Sequence, residues 1–362
     1  KDAQAIIDAL GDNTDVLFLE NGTDALDAIN EYLDANGIKY DAIHIVSHGN
    51  AGYFVLNGEI IDAQSVANDP ASWANIGKHL SDNGDIMIYG CNVAGNLDGQ
   101  MLVSQIASLT GADVAASVDS TGVNGNWDLE YSIGVIDHQF INVQDYSYTL
   151  ASRTLTIDGT GTGTDHYSDF KSAYDFAITL KDTDVIFNFT VNLTGDKAIG
   201  NDYTFSSDYI FRSTAGVDIT FSGTITMAGD QSFSGFGDLI FSKDVSLLHD
   251  TTLRVDGSID HVQIGGNLNL ANNAYLNSSA ITADLNKIVV VENAVAGVRL
   301  GAAVDNFTFE VGGNSSLDLT VGNSTLKGME VGGSLTQSKN WLNYQFNSDV
   351  NFDMLDINGA VV

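Results

Sequence analysis

A repeat of about 20 residues runs through the second half of the chain. Each unit has an apolar residue, a corner of glycine or small polar residues, and then alternating apolar residues. Repeats of this length with strand content are typical of β-solenoids, in which each coil buries its inward side chains only against its neighbours. The units begin at Phe221, Phe241, Ile264, Val291, Val311 and Val331, with degenerate outer copies at Phe187 and Phe346.

We therefore expect residues 151–362 to form an all-β domain, a parallel β-solenoid, with a β-sandwich of regularly spaced strands as the alternative. Helix patterns nearly stop after residue 150, and the clear exception is the stretch at 168–180. Serine, threonine and asparagine recur beside the corners and could form ladders between coils. Either fold makes this part of the chain a scaffold or an extended surface rather than an obvious catalyst.

Residues 1–150 have a different pattern, in which apolar strand segments alternate with amphipathic helix segments. Continuous apolar strands between helices indicate an α/β domain with a mostly parallel sheet, covered by helices on both faces. Helix patterns lie at 2–10, 23–37, 71–84 and 98–111, and strand patterns at 15–20, 42–49, 85–91, 112–117 and 127–137, with a hairpin at 53–61 around Asn57-Gly58.

The chain carries 47 acidic and 14 basic residues, for a formal net charge of −33. Such a surface repels phosphate backbones, so we expect no nucleic-acid partner, although it can collect divalent cations. The single cysteine, Cys91, excludes an internal disulfide framework. No apolar run is long enough to cross a bilayer, so we expect no membrane span.

Two strand patterns of the first half end in chemically capable residues. His48-Gly49 follows "AIHIVS", and Gly90-Cys91 follows "DIMIY". Parallel α/β sheets place chemistry at the carboxyl ends of their strands. If the two strands are neighbours, His48 can take the proton of Cys91 and make a thiolate nucleophile, and the backbone N–H groups of Gly49 and Cys91 could hold an oxyanion. The alternatives are a buried cysteine that acts as a small hydrophobe and a histidine that caps a strand end.

Residues 1–135 resemble the caspase-like domain found in very large bacterial surface and adhesin-like proteins, a relative of the clan of caspases, legumain and clostripain. The matching stretches are "HIVSHGNAG", "MIYGCNVAG", "GADVAASVDSTG" and "GNWDLEY". The resemblance implies a cysteine endopeptidase with His48 as general base or acid and Cys91 as nucleophile. It says nothing about residues 151–362.

The resemblance also implies where substrate binds. In that clan, the loop after the strand that follows the cysteine helps to form the pocket for the residue before the scissile bond. Here that loop contains Ser117 and Asp119, and an acidic pocket would favour arginine or lysine. Arg153, in an apparent linker, is then a candidate for self-cleavage. The simpler interpretation of Asp119 is a turn residue.

One departure from the family pattern concerns the start of the chain. The related domains begin with an apolar strand, whereas this sequence begins at the first helix, with Lys1. A boundary of the expressed chain, an earlier cleavage, or a strand donated by another segment or chain would each account for it. The last explanation would make the domain an assembly device.

We expect no required cofactor, although calcium could bind. Asp158 and Asp165, at the ends of "DGTGTGTD", offer carboxylates, and a glycine turn is the alternative for this stretch. The function that we expect is a secreted or cell-surface bacterial protein with a peptidase domain that processes itself or a protein partner. The alternative is a non-enzymatic surface, adhesion or filament-forming protein with an inactive caspase-like domain.

Overall fold

A computed structural model describes residues 3–10, 13–19, 24–123, 125–143, 146–180, 184–280 and 282–300, and the backbone of short strands beyond residue 300. The chain divides into two compact units. The first, here called the α/β unit, comprises Lys1–Arg153 and Thr179–Val185. The second, the solenoid unit, comprises Thr154–Ile178 and Ile186–Val362.

In the described part of the α/β unit, the helices are α1 (Ala3–Asp8), α2 (Ala25–Asn36), α3 (Ala63–Asn68), α4 (Pro70–Lys78) and α5 (Leu97–Thr110). The strands are β1 (Tyr40–Val46), β2 (Gly49–Asn50), β3 (Tyr53–Leu56), β4 (Glu59–Asp62), β5 (Leu80–Tyr89), β6 (Asp113–Ala116) and β7 (Tyr131–Ile133). The main sheet has the order β1-β5-β6-β7, in which β1, β5 and β6 are parallel and β7 is antiparallel. A mostly parallel α/β sheet is thus confirmed.

The two faces of this sheet are covered differently, because successive side chains of a strand point to opposite sides. Ile86 and Ile88 of β5 pack into a core with residues of α2, α3, α4 and α5. Met87, Tyr89 and Cys91 pack on the other side, against residues of α1 and against Trp127, Leu129, Ile141, Val143 and Leu150. The expectation of helices on both faces is therefore correct for one face and only partly correct for the other.

One predicted element of the α/β unit is wrong, and another ends earlier than predicted. Residues 15–19 form no regular strand, and Val16, Leu17 and Phe18 are exposed. Asp15 instead accepts a hydrogen bond from the Tyr40 hydroxyl. The helix predicted to run to residue 84 ends at Lys78, because β5 already begins at Leu80 through pairing with Tyr40 of β1. Tertiary pairing here overrides local helical preference.

The predicted hairpin around Asn57-Gly58 is confirmed. Strands β3 and β4 are antiparallel, and both turn residues have positive φ, 48° at Asn57 and 80° at Gly58. This is the backbone that an Asn-Gly turn favours. Strand β2 joins the same small sheet through β3, which fixes the course of the chain immediately after His48.

The solenoid unit contains one described α-helix, α6 (Phe170–Ala177), and begins with the strand that crosses the boundary between the units. Its strands are β8 (Ser152–Ile157), β9 (His166–Tyr167), β10 (Asp184–Phe189), β11 (Tyr203–Phe205), β12 (Tyr209–Ser213), β13 (Ile219–Phe221), β14 (Ile225–Met227), β15 (Gln231–Ser234), β16 (Asp238–Phe241), β17 (Val245–Leu247), β18 (Thr252–Val255), β19 (His261–Leu270), β20 (Ala274–Ser278), β21 (Thr282–Val290), β22 (Val295–Leu300), β23 (Ala303–Val304), β24 (Phe307–Val311), β25 (Ser316–Val321), β26 (Met329–Val331), β27 (Trp341–Phe346) and β28 (Leu355–Ile357).

These strands form a β-solenoid of about five turns. One sheet has the order β27-β25-β22-β20-β18-β15-β12-β10-β8-β9, and the other runs from β11 to β28. Pairing within both sheets is parallel, as between β12 and β15 and between β14 and β17. Stacked coils produce such pairing, whereas a sandwich is built from antiparallel strands, so the β-sandwich alternative is wrong.

The register corrects the repeat that the sequence suggested. Phe221 pairs with Phe241 and Phe241 with Ile264, as predicted. Ile264 then pairs with Leu285 rather than with a residue near Val291. The predicted starts at Val311 and Val331 belong to a second column, where Val311 pairs with Val290 and Val331 with Phe309. Phe187 and Phe346 lie in the other sheet. Glycines occur at more than one place within a coil, as at Gly223, Gly229 and Gly235 between Phe221 and Phe241, and the sequence pattern therefore mixed the two columns.

The helix predicted at 168–180 is present as α6 and packs onto aromatic residues of the first coils. Phe170 is 2% exposed, and its ring centroid lies 5.0 Å from that of Tyr203 and 5.1 Å from that of Phe187. Further along, the rings of Phe211 and Phe233 stack at 4.4 Å. The interior of the first coils is thus filled by aromatic side chains, and that of the later described coils by aliphatic ones.

Aspartate side chains join successive coils at their corners. In each case a carboxylate oxygen accepts the backbone N–H of a residue in the next coil, 20 to 23 positions ahead. The pairs are Asp202 with Thr224, Asp208 with Asp230, Asp218 with Asp238, Asp230 with Thr252, and Asp244 with Asn267. The predicted polar ladders therefore exist, but their acceptors are mainly aspartates, which explains part of the negative charge of this unit.

In the residues that the structure describes, no helix is both long enough and apolar enough to span a bilayer.

Candidate functional site

The register of β1 and β5 brings the His48 and Cys91 backbones to the same edge of the sheet. Val46 pairs with Tyr89, and each candidate lies two residues beyond this pair. The Ser47 N–H continues the pairing by donating to the Tyr89 carbonyl at 3.0 Å. Gly90 permits this approach, since a Cβ there would lie 3.1 Å from the Ser47 carbonyl oxygen.

Cys91 is 1% exposed, and its sulfur is held by backbone and hydroxyl groups. The Thr121 N–H donates to Sγ at 3.1 Å, and Sγ lies 3.4 Å from the Thr121 carbonyl oxygen and 3.6 Å from the Thr149 hydroxyl. The sulfur therefore accepts one N–H, and the thiol proton has two oxygen acceptors within reach, the Thr121 carbonyl and the Thr149 hydroxyl. The same contacts also suit a structural thiol.

The His48 ring is half-buried and makes its hydrogen bond on the other side of the site. Its Nδ1 lies 3.0 Å from the carbonyl oxygen of Ala151. A carbonyl oxygen can only accept, so this contact places the proton on Nδ1 and leaves Nε2 as the proton acceptor. Neither of these two described side chains is hydrogen-bonded to the other.

The backbone N–H groups of Gly49 and Cys91 meet on one oxygen atom. Both donate to the carbonyl of Leu150, Gly49 at 2.9 Å and Cys91 at 3.2 Å. Two convergent N–H groups on one carbonyl oxygen are the arrangement that stabilises an oxyanion during acyl transfer. The structure thus brings together the two donors proposed from the sequence and places a peptide carbonyl between them.

That carbonyl belongs to residues 148–152, here called the crossing segment, which run through the site in extended form. The Leu150 N–H donates to the Thr121 carbonyl at 3.1 Å, and the Val123 N–H donates to the Tyr148 carbonyl at 2.7 Å. Thr149 forms an antiparallel bridge with Gly122. One side of the crossing segment is therefore paired like a strand with the loop that follows β6.

The other side of the crossing segment is held by the residues after His48. Ala151 forms a parallel bridge with Gly49. The Asn50 side-chain amide donates to the Ser152 carbonyl at 3.2 Å, and the Tyr53 hydroxyl lies 2.9 Å from the Ser152 hydroxyl. Polar contacts thus fix the crossing segment both before and after the Leu150–Ala151 peptide bond.

The Leu150 side chain occupies an apolar environment. It is 4% exposed and belongs to the cluster of Met87, Tyr89, Cys91, Ala115, Trp127, Leu129, Ile141 and Val143. The ring of Trp127 is in turn 5.3 Å from that of Tyr146 and 5.9 Å from that of Tyr89. A subsite of this composition suits an aliphatic side chain.

The proposed pocket residues have local roles in the loop after β6. Asp119 is exposed, and its carboxylate accepts from the Asn126 side-chain amide at 3.2 Å. Ser117 is buried, and its hydroxyl accepts the Asp119 N–H and lies 3.0 Å from the Asp119 carbonyl oxygen. These contacts match the simpler interpretation of Asp119 as a turn residue.

The sequence suggested that Arg153 lies in a linker, but the structure places it in a strand. It is the second residue of β8, is half-buried, and has interactions of its own. The carbonyl that the Gly49 and Cys91 N–H groups hold is three positions earlier in the chain. The residue beside the candidate pair is thus apolar and not basic.

The two calcium candidates, Asp158 and Asp165, have different roles in the same turn. Asp158 Oδ1 accepts the N–H groups of Thr160 and Gly161, and Oδ2 lies 2.7 Å from Nδ1 of His166. The backbone donors of Gly161 and Thr160, with His166, hold the pKa of Asp158 well below its usual range. Asp165 has a positive φ of 59° in the same turn. Among the described residues, no group of three or more His, Cys, Asp or Glu side chains is arranged for a metal.

Sequence reasoning missed a buried polar cluster on the face of the sheet that carries Cys91. Asp85 is fully buried, and its Oδ2 accepts the N–H groups of Asp137 and His138 and lies 2.8 Å from Nδ1 of His138. His44 stacks on Tyr89 at 5.8 Å, and burial lowers its pKa. Burial also raises the pKa of Tyr89 to about 12. The sequence signals this cluster only through Asp85, an aspartate at the start of an apolar run.

Comparison with known proteins gives one match. Residues 1–150 match the model of a family described as a domain of unknown function (DUF4347). Comparison with curated proteins finds no match to the chain, and comparison with solved structures finds none. The family match covers the part of the chain that contains His48, Cys91 and Leu150, and it assigns no activity to them.

Proposed function

We propose that residues 1–150 form a caspase-like cysteine endopeptidase domain that processes its own chain or a protein partner. The observation that carries this proposal is the convergence of the Gly49 and Cys91 N–H groups on one peptide carbonyl, next to the Cys91 thiol and the His48 ring. A buried strand end that serves only packing has no need for two donors on one acceptor beside a thiol and an imidazole.

In this proposal each group has one role. His48, with its proton on Nδ1, takes the thiol proton of Cys91 at Nε2. The thiolate attacks the peptide carbonyl carbon, and the two N–H groups stabilise the oxyanion that develops. His48 then protonates the leaving amine, and water hydrolyses the acyl-enzyme. No step of this reaction requires a metal or an organic cofactor.

The setting that we propose is a secreted or cell-surface bacterial protein in which the solenoid unit is a stalk. Support comes from the resemblance of residues 1–135 to caspase-like domains of large bacterial surface proteins. The parallel solenoid, with its apolar interior and cross-coil aspartates, suits an extended support. The negative charge is consistent with a surface that stays dispersed in water.

A structural role without catalysis is the second candidate. The observation in its favour is the burial of Cys91, whose sulfur is already engaged by Thr121 and Thr149. In this case the crossing segment is a permanent part of the core. The protein would then be a surface, adhesion or filament-forming protein with an inactive caspase-like domain.

Labelling of Cys91 by a peptidyl electrophile that ends in leucine separates the two candidates. An activated thiol should be labelled at least 100-fold faster in the wild-type chain than in a His48→Ala variant, because loss of a general base costs roughly 10²–10⁴ in rate. Cys91→Ala gives the background. Equal and slow labelling of wild type and His48→Ala would mean that the thiol is not activated.

A further inference from the structure

We infer that the substrate of this site is the chain itself and that the scissile bond is Leu150–Ala151. The inference rests on the proposed peptidase function and goes beyond it by naming the bond and the subsite. The first observation is the Leu150 carbonyl, which accepts from Gly49 N at 2.9 Å and from Cys91 N at 3.2 Å. It is the carbonyl on which the two donors of the site converge, so it is the one polarised for attack.

The second observation is the strand-like pairing of the residues before this bond. Leu150 N donates to Thr121 O, and Val123 N donates to Tyr148 O. Proteases commonly bind substrates as added strands, because main-chain hydrogen bonds align the scissile bond independently of sequence. Since Thr121 also holds the Cys91 sulfur through both of its backbone groups, one residue aligns nucleophile and substrate.

The third observation is chemical selectivity. Leu150 lies in an apolar cluster that includes Tyr89, Trp127 and Leu129, so the subsite is complementary to an aliphatic side chain. Arg153 would bring a guanidinium into this cluster, which is costly without a buried acid as partner. The specificity that follows is for leucine or a similar aliphatic residue before the bond.

The fourth observation concerns the leaving side. The Ala151 carbonyl accepts from His48 Nδ1, and the Ala151 N–H is bonded to the Thr149 hydroxyl at 3.2 Å. These contacts place the histidine next to the residue whose nitrogen must receive a proton. The neighbours Asn50 and Tyr53 hold Ser152. The new amino terminus would therefore form at the residue that the His48 ring contacts.

The reaction balances as a hydrolysis. The Cys91 proton passes to His48, the sulfur forms a thioester with the Leu150 carbonyl carbon, and the bond from that carbon to the Ala151 nitrogen breaks. The Ala151 nitrogen takes the proton from His48 and becomes a free amine. One water molecule then cleaves the thioester, which restores the Cys91 thiol and leaves a carboxylate at Leu150.

The test uses the full chain, purified and incubated at neutral pH, with intact mass and amino-terminal sequencing as readouts. Wild type should convert to fragments 1–150 and 151–362, with Ala151 as the new amino terminus. Cys91→Ala should stay intact. Leu150→Met should be cut at nearly the wild-type rate, and Leu150→Gln, which is similar in size but polar, at least 10-fold more slowly.

Controls separate failure of the inference from failure of the proposed function. Near-UV circular dichroism reports the folding of each variant. If Leu150→Gln does not fold, amino-terminal sequencing of the wild-type and Leu150→Met products still identifies the bond that is cut. Cys91-dependent cleavage elsewhere, for instance after Arg153, would overturn the Leu150 assignment alone. Two results together would overturn self-cleavage and leave the peptidase function standing. The wild-type chain would stay intact, and the leucine electrophile would still label Cys91 in a His48-dependent way, in the wild-type or the Leu150→Gln chain. An intact wild type without such labelling would overturn both.

Discussion

Gly49 and Cys91 direct their backbone N–H groups at the same carbonyl oxygen, although they lie on the continuations of different strands. The arrangement depends on parallel pairing of β1 with β5, which brings the two strand ends abreast. It depends equally on close backbone contact, because a Cβ at residue 49 would lie 3.4 Å from the Cys91 carbonyl oxygen.

Gly49→Ala should therefore impair the site without unfolding the protein. The added methyl would approach the Tyr53 carbonyl oxygen at 3.2 Å and Val93 Cγ2 at 2.9 Å, so the residue 49 backbone must shift. Loss of one oxyanion donor costs about 10²–10³ in rate. We expect a decrease of that size in the labelling rate of Cys91. Gly200→Ala, where a Cβ meets only one atom, at 4.0 Å, is the matched control.

Asp85→Ala should destabilise the α/β unit by about 2–4 kcal/mol, since three donors lose the buried carboxylate that they share. The Asp137 and His138 N–H groups and the His138 ring lose their shared acceptor. The free energy of unfolding, from urea titration followed by Trp fluorescence, measures the effect. As a control, Asp34→Ala removes an exposed partner of His79 and should have little effect. Equal stability of Asp85→Ala and wild type would contradict a structural role for this cluster.

Asp230 should make the stability of the solenoid unit depend on pH. Burial raises its pKa to about 6, from a usual value of 3.8. The folded unit therefore binds this proton more tightly than the unfolded chain does. The contribution to stability is complete below about pH 4 and is lost as the pH rises through 6. Melting temperatures between pH 4 and 8 should show this decrease.

Asp230→Asn tests the same group, because the amide oxygen can still accept the Thr252 N–H. We expect a higher melting temperature than wild type above pH 6 and a weaker pH dependence between 4 and 6. Asp244→Asn, in the same cross-coil role toward Asn267, controls for general removal of negative charge. An Asp230→Asn profile parallel to that of wild type would count against the assignment.

Phe233→Ala should destabilise the solenoid unit by about 3–5 kcal/mol, the usual cost of removing a buried phenyl ring. Phe233 is fully buried, and its ring stacks on Phe211 at 4.4 Å and contacts Phe241 edge-on at 5.8 Å. Denaturant unfolding followed by circular dichroism checks the prediction. Leu248→Ala, at a residue that is 41% exposed, should cost less than about 1 kcal/mol.

The site was predictable from sequence as far as strand ends determine it. His48 and Cys91 follow apolar runs of parallel strands, and such runs end at one edge of a sheet. The crossing segment was not predictable, because Leu150 lies about sixty residues beyond Cys91 and resembles any core leucine. Its place depends on backbone hydrogen bonds to Thr121 and Val123, and such bonds leave no trace in the side-chain pattern.

The fold shows the same division between local pattern and tertiary contact. The Asn57-Gly58 hairpin and α5 follow from local turn and helix signals. Residues 15–19 have the composition of a strand but lack a paired neighbour, and their apolar side chains stay exposed. In the solenoid, the sequence identified the coil length, whereas the column to which each repeat belongs emerged only from the register of paired strands.

The crossing segment has a kinetic consequence. A bond held in its own site by the same chain is cut as a first-order process, so its half-life should not change when the protein is diluted. Each molecule completes such a reaction once. The rate of this single cleavage would then set the time between folding of the domain and separation of the two fragments.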